Sequence, residues 1–195
     1  MKIILDAGHG MDTPGKRSPD GLFREYKYCR ELATLVKQKL QAEDYEVIYL
    51  CEGIELDTNL KTRCKMINQL CTNHGAKNCI VVSIHNNAAS NSGWNKARGW
   101  SVFVGLNASE NSKKLASDLF DAATELGVKT RRPDREHKYW EQNLAICRDT
   151  KCPAVLIENM FQDNKEDVEW MLTDEGKQTL VNIICKGIKN YLANI

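Results

Sequence analysis

Long apolar runs are missing from this chain of 195 residues. Runs such as 79–83 and 154–157 have the length of a strand, far below the roughly 18 residues of a membrane span. Net charge is nearly absent too: 27 Lys and Arg stand against 26 Asp and Glu, giving +1. No overall field draws the protein onto nucleic acid or an anionic membrane, and neither is an expected partner. Met1 and Lys2 lead at once into Ile3, Ile4, Leu5 and then Asp6, too short an apolar stretch for a signal peptide. The expectation is a protein made in the cytoplasm. Repeats, low-complexity stretches and linkers are also lacking, so 1–195 is read as a single domain. The eight cysteines contain no CxxC pair and no zinc-ribbon spacing. Several stand where a small apolar residue belongs: Cys64 and Cys71 share a helix face with Ile67, and Cys79 opens an apolar strand. They are read as free, buried thiols. A chain of this length buries roughly 70% of its unfolded surface without help from a structural metal. A metal, if held, serves chemistry.

What is present is an alternation of strand-like and helix-like segments, the pattern of an α/β protein with a largely parallel sheet. Strands are expected at 2–5, 46–50, 79–84, 100–104, 144–147 and 153–158. A loop rich in Pro, Gly, Asp and Ser fills 11–23, and Tyr28, Leu32, Leu35, Val36 and Leu40 then mark a helix over 25–42. A second helix carries Leu60, Cys64, Ile67, Leu70 and Cys71 and stops near Gly75. An Asn- and Ser-rich loop covers 86–99, and a third helix around Leu115, Leu119, Ala123 and Leu126 ends at Gly127. A charged loop occupies 129–138. Two helical segments, 168–172 and one bearing Val181, Ile184, Ile188 and Tyr191, close the chain.

Polar residues gather where strands end, which is where open α/β sheets form their binding crevice. Asp6-Ala7-Gly8-His9-Gly10 follows the first strand, Ser83-Ile84-His85-Asn86-Asn87 the third, and Glu158-Asn159 the last. With Glu25 at the start of the first helix, this supplies two imidazoles and two carboxylates, the inventory of a catalytic zinc site with its acid or base. Each residue has a plainer reading as well. His9 between two glycines suits a tight turn, and Glu25 in a first helical turn suits the helix dipole. A carboxylate directly after Ala154-Val155-Leu156-Ile157 is harder to explain as idle, since an unpaired buried charge is costly. Glu31 competes with Glu25, but lies further along the helix surface.

Together these segments resemble the four signatures of the zinc-dependent N-acetylmuramoyl-L-alanine amidases of the amidase_3 type, over essentially the whole chain. The resemblance implies a twisted, mainly parallel six-stranded sheet with helices on both faces. It implies one zinc ion held by His9, Glu25 and His85, with Glu158 as the catalytic glutamate. The implied reaction cleaves the amide between the lactyl group of N-acetylmuramic acid and the L-alanine of the stem peptide. The expected partner is thus peptidoglycan, attacked by a monomer that is not inserted in the membrane and carries no separate wall-binding domain. The enzyme would reach the wall at lysis, as a phage or prophage endolysin does, or by another route of export. A zinc peptidase cutting within the stem peptide and an inactive wall-binding module are the competing readings.

Further residues are weighed against the same frame. Asp6, or a backbone carbonyl, is expected to orient a ligand imidazole. Trp94, in a polar loop, and Asn87, two residues after His85, are candidate substrate contacts, whereas Trp100 alternates with Val102 and Val104 and belongs to packing. Cys29 stands where many relatives have asparagine, and is read as a small residue at a helix interface. His74, His137 and the loop 129–138 are read as solvated surface.

Overall fold

The computed structural model describes residues 1–90 and 93–195. A six-stranded sheet runs in the order β2 (Glu46–Tyr49), β1 (Lys2–Ala7), β3 (Cys79–Asn87), β6 (Ala154–Phe161), β4 (Ser101–Val104), β5 (Trp140–Glu141). Every neighbouring pair is parallel except β4 against β6. The helices are α1 (Glu25–Gln41), α2 (Leu60–His74), α3 (Glu110–Glu125), α4 (Ala145–Arg148), α5 (Lys165–Met171) and α6 (Asp174–Ala193). No helix among the described residues is long and apolar enough to cross a membrane.

Alternation along the buried strands divides the core in two. Ile3, Leu5, Ile80, Val82, Ile84, Val155 and Ile157 face the larger cluster, built with α1, α3 and α6. Ile4, Val81, Ala154 and Leu156 face the smaller one, beneath α2 and α4. Cys51, Cys64, Cys71, Cys79 and Cys152 belong to this second cluster, with Cys147 packed at its edge. All eight cysteines are free thiols and seven are buried, as their apolar positions predict.

One strand lies elsewhere than expected. The run 144–147 is not a strand: Ala145–Arg148 is the short helix α4, with Ile146 pressed into the smaller core. The edge strand is instead Trp140–Glu141, where Trp140 stacks on Phe103 with ring centroids 6.3 Å apart. Four apolar residues in a row fit either state, and only packing decides between them. Both central strands also run further than expected, β3 to Asn87 and β6 to Phe161.

Those extensions pass through an irregularity. His85 pairs with Glu158 and Asn87 with Phe161, so two steps along β3 match three along β6. Met160, at φ 65°, absorbs the extra residue. Such a bulge re-aims the side chains beyond it.

Candidate metal centre

Because β1, β3 and β6 are adjacent and parallel, their carboxyl ends share one rim. The row that faces the smaller core, Ile4, Val81 and Leu156, continues toward the rim as Asp6, Ser83, His85 and Glu158, with Asp6 opposite Ser83 and His85 opposite Glu158. A cavity of about 440 Å³ opens over this row, lined among others by His9, Lys16, Arg63, Leu144 and Ile146.

Glu25 reaches the rim from the first turn of α1 and is 1% exposed. Its Oε1 lies 3.4 Å from His9 Nε2 and 3.2 Å from His85 Nδ1. One ligand atom from each of the three lies within 4.8 Å of the others. The two imidazoles meet edge to face, with ring centroids 5.1 Å apart. Burial pushes the Glu25 carboxyl up, but the hydrogen bonds from His85 and His9 outweigh it and hold it well below the usual carboxylate range. For His85, burial acts downward and the bond to Glu25 prevails, raising its pKa. Asn86 N–H donates to Glu25 Oε1 at 3.1 Å, and Gln162 Nε2 donates to Oε2 at 2.9 Å. The carboxylate is thus fixed before any ion arrives.

His9 is held by its backbone. It takes the left-handed conformation, φ 61°, between two glycines that admit no side chain. A Cβ on Gly8 would lie 2.4 Å from the His85 ring, and one on Gly10 would lie 2.0 Å from the Asp57 backbone. The His9 carbonyl accepts from Arg30 Nη1 at 2.9 Å and from Arg63 Nη2 at 3.2 Å. Arg63, 2% exposed, also donates to Asp6 at 2.7 Å and Asp57 at 2.9 Å, and to the carbonyls of Ala7 and Thr58.

Glu158 is set in contrast to Glu25. Burial drives its pKa up to about 8, with His85 opposing and Glu25 reinforcing the shift. Its Oε2 is buried without a hydrogen-bond partner. One carboxyl at the rim is therefore kept charged and the other is poised near neutrality, the division of labour that hydrolytic sites exploit.

Other residues fall as follows. Glu31 pairs at the surface with Lys177, 2.6 Å away, and takes no part in the cluster. The Asp6 carboxylate bonds Arg63 Nη1 and, at 2.6 Å, Ser83 Oγ; its contact with His9 runs through Arg63 rather than through an imidazole. Cys29 is fully buried and donates to Asn86 Oδ1 at 3.4 Å, outside the ligand cluster. Trp100 is fully buried, its Nε1 on Asn159 Oδ1 at 3.0 Å. Asn87 spends its side-chain oxygen on the N–H of Ala88. Trp94, 41% exposed, lines a surface pocket with Arg98 and Lys165 instead of the metal cavity. His74 and His137 are exposed.

Sequence reasoning missed Arg63 and Gln162. Arg63 carries a signal, since it shares the buried face of α2 with Ile67 and Cys71, where a charge demands partners. Gln162 carries none, because the bulge that aims it is invisible in composition.

Comparisons with known proteins follow the same lines. The chain is 27% identical over 194 residues to the endolysin of Bacillus phage SPP1, matching 99% of this chain and 65% of that protein. It is 30% identical over 192 residues to the probable cell wall amidase LytH of Staphylococcus aureus, matching 98% and 58% respectively. It therefore spans less than two thirds of the length of either relative. The fold matches the crystal structure of an N-acetylmuramoyl-L-alanine amidase from Clostridium difficile 630, with TM-score 0.84, 24% identity, and 99% of this chain on 97% of that one. It also matches the N-acetylmuramyl-L-alanine amidase Ami1 from Mycobacterium smegmatis, with TM-score 0.84, 20% identity, and 100% of this chain on 98% of that one. The family model for Amidase_3, N-acetylmuramoyl-L-alanine amidase, matches residues 3–190, and the chain belongs to that family.

Proposed function

We propose that the protein is a zinc-dependent peptidoglycan amidase that cleaves the bond between N-acetylmuramic acid and the L-alanine of the stem peptide. The observation that carries this reading is the convergence of His9, Glu25 and His85 at the wall of a cavity that His9, His85 and Glu158 line, with Glu158 directly opposite His85. Two imidazole nitrogens and one carboxylate oxygen fit a zinc ion that keeps a position open, and Glu25 is already fixed as the anionic member. Held by these three, zinc would supply Lewis-acid polarisation of the lactyl carbonyl and lower the pKa of a water molecule toward neutrality.

The protein's own groups do the rest. Glu158 accepts the proton of the attacking water and passes it to the departing amine of L-alanine; burial raises its pKa in the metal-free protein, and a zinc ion nearby would lower it again, leaving the carboxylate able to take that proton. Arg63 and Arg30 hold the His9 carbonyl and so fix the angle at which its ring enters the site. Asn86 and Gln162 keep Glu25 oriented. The exposed ring of Trp94 offers a stacking surface for a sugar further along the glycan.

The test is metal analysis followed by digestion of purified peptidoglycan. Bound zinc, new amino termini on L-alanine, and loss of that release in Glu158→Ala support the proposal. New termini within the stem peptide would mean a peptidase instead. A protein that takes up no zinc, or a Glu158→Ala variant that digests at the wild-type rate, overturns it.

A further inference from the structure

Glu158 has a neighbour on each side of β6. His85 stands opposite it on β3, and Ser101 stands directly opposite it on the antiparallel strand β4. Side chains that face each other across an antiparallel pair lie on one surface of the sheet, with Cβ atoms about 5 Å apart. The rest of β4 shows which surface this is. Val102 and Val104 enter the larger core and Phe103 packs against the smaller one, so Ser101 shares the face of Phe103, Leu156 and Glu158. Asn159, the next residue along β6, pins the register: its Nδ2 donates to the His85 carbonyl at 3.2 Å and its Oδ1 accepts from Trp100 Nε1 at 3.0 Å.

Each member of this cross-strand pair carries a buried atom without a hydrogen-bond partner, Oγ on Ser101 and Oε2 on Glu158. Ser101 is 0% exposed. A hydroxyl sealed from water and bonded to nothing is a cost that alanine would avoid in the same space. Among the described residues the other buried donors without a partner are Arg24 Nε and Trp140 Nε1, and neither lies on a strand paired with β6. Ser101 therefore sets an unused donor beside an unused carboxyl oxygen. Rotation about its χ1 swings Oγ through three staggered positions and needs no movement of the backbone.

We propose that the Ser101 hydroxyl donates to Glu158 Oε2 and makes Ser101 a positioning residue for the amide hydrolysis. The inference rests on the reading of Glu158 as the acid/base. With Oε2 held against β4, Oε1 is the oxygen presented to the cavity that Glu158 lines. The proton taken from the attacking water lands on Oε1 and leaves from the same atom to the departing amine, so the enzyme neither gains nor loses a proton over the cycle. The hydroxyl stays on Oε2 throughout, because that oxygen has lone pairs to accept with whether the carboxyl is ionised or protonated. What it supplies is orientation, since a carboxyl held by one oxygen does not turn about its last torsion. Fully buried, Ser101 reaches the reaction only through Glu158.

Turnover of soluble peptidoglycan fragments by the zinc-loaded protein tests the role. Ser101→Ala is expected to lower kcat about tenfold, the worth of one hydrogen bond to a charged group, with KM within about twofold of wild type and zinc content unchanged. Threonine and valine have the same shape, so Ser101→Thr should restore most of kcat while Ser101→Val stays as slow as Ser101→Ala. A threonine variant as slow as the valine one overturns the proposal. The contact itself is read in the metal-free protein by denaturant titration. Ser101→Ala should lower the folding equilibrium constant about fivefold in an otherwise wild-type chain, and should leave it unchanged or raise it in Glu158→Ala, where the hydroxyl has no oxygen to hold. Equal losses in the two backgrounds overturn the contact. This second measurement uses no substrate, so the contact and the amidase reading fail separately.

Discussion

The apolar side chains on one face of the sheet, Ile3, Val82 and Ile157 among them, lie under three long helices in a core that holds two of the eight cysteines, Cys29 and Cys185. The other face meets α2 and the single turn of α4, and its core is smaller and rich in thiols. The functional row grows out of that second face. Ile4 leads to Asp6, Val81 to Ser83 and His85, and Leu156 to Glu158, so the side that lacks a third covering helix is the side that opens into a cavity. The larger core and this polar row thereby lie on opposite surfaces of the same strands, and Glu25 joins the row from α1, on the side of the larger core.

The largest expected effect belongs to the open face. Glu158→Gln should lower turnover by about 10³-fold, within the range for loss of a general acid/base, with zinc content unchanged. A residual rate within tenfold of wild type would break the assignment. Arg63→Met strikes the join between chemistry and scaffold, since it strands the buried Asp6 and releases His9. A loss of about 4 kcal/mol in stability is expected, with zinc affinity down 10- to 100-fold. Adding Asp6→Asn should recover part of the stability and little of the affinity, as read by denaturant titration and metal competition.

Ile184→Ala, on the closed face, should cost about 3 kcal/mol and leave zinc affinity as it was. A parallel loss of metal binding would show that the two faces are not independent. The smallest effect concerns pH. Burial lifts the Glu158 carboxyl from 4.5 to about 8, so the folded, metal-free protein binds that proton more tightly than the unfolded chain and loses stability as pH rises between these values. Metal-free Glu158→Gln escapes this loss. Its denaturation midpoint should exceed that of wild type at pH 8.5, and the gap should shrink toward pH 5.

The closed face was legible in the sequence and the open face only in part. Tyr28, Leu32, Val36 and Leu40 announce α1 by periodicity, and 79–84 and 154–157 announce buried strands by apolar content. His9, Glu25, His85 and Glu158 stood out because polar groups at strand ends and helix starts converge in any sheet of this topology. The run 144–147 misled because four apolar residues carry too little periodicity to choose between strand and helix. Gln162 was silent because its direction depends on one extra residue at Met160, a property of the pairing with β3 and not of β6 by itself.

The reversal of β4 has a consequence of its own. Since β4 runs against β6, and β5 runs with β4, both begin at the rim where β1, β3 and β6 finish. The segments that lead into them, including the charged stretch 129–138, therefore border the same opening as those that follow His9, His85 and Glu158. Arg131, whose guanidinium lies 4.8 Å from the Phe161 ring centre, ties that stretch to the rim. With β2, which is parallel to β1 and is followed by Asp57, Thr58 and Asn59 in the cavity wall, all six strands present a connection to one entrance. A change in any of these loops would reshape the entrance without disturbing the sheet or the three side chains beneath it.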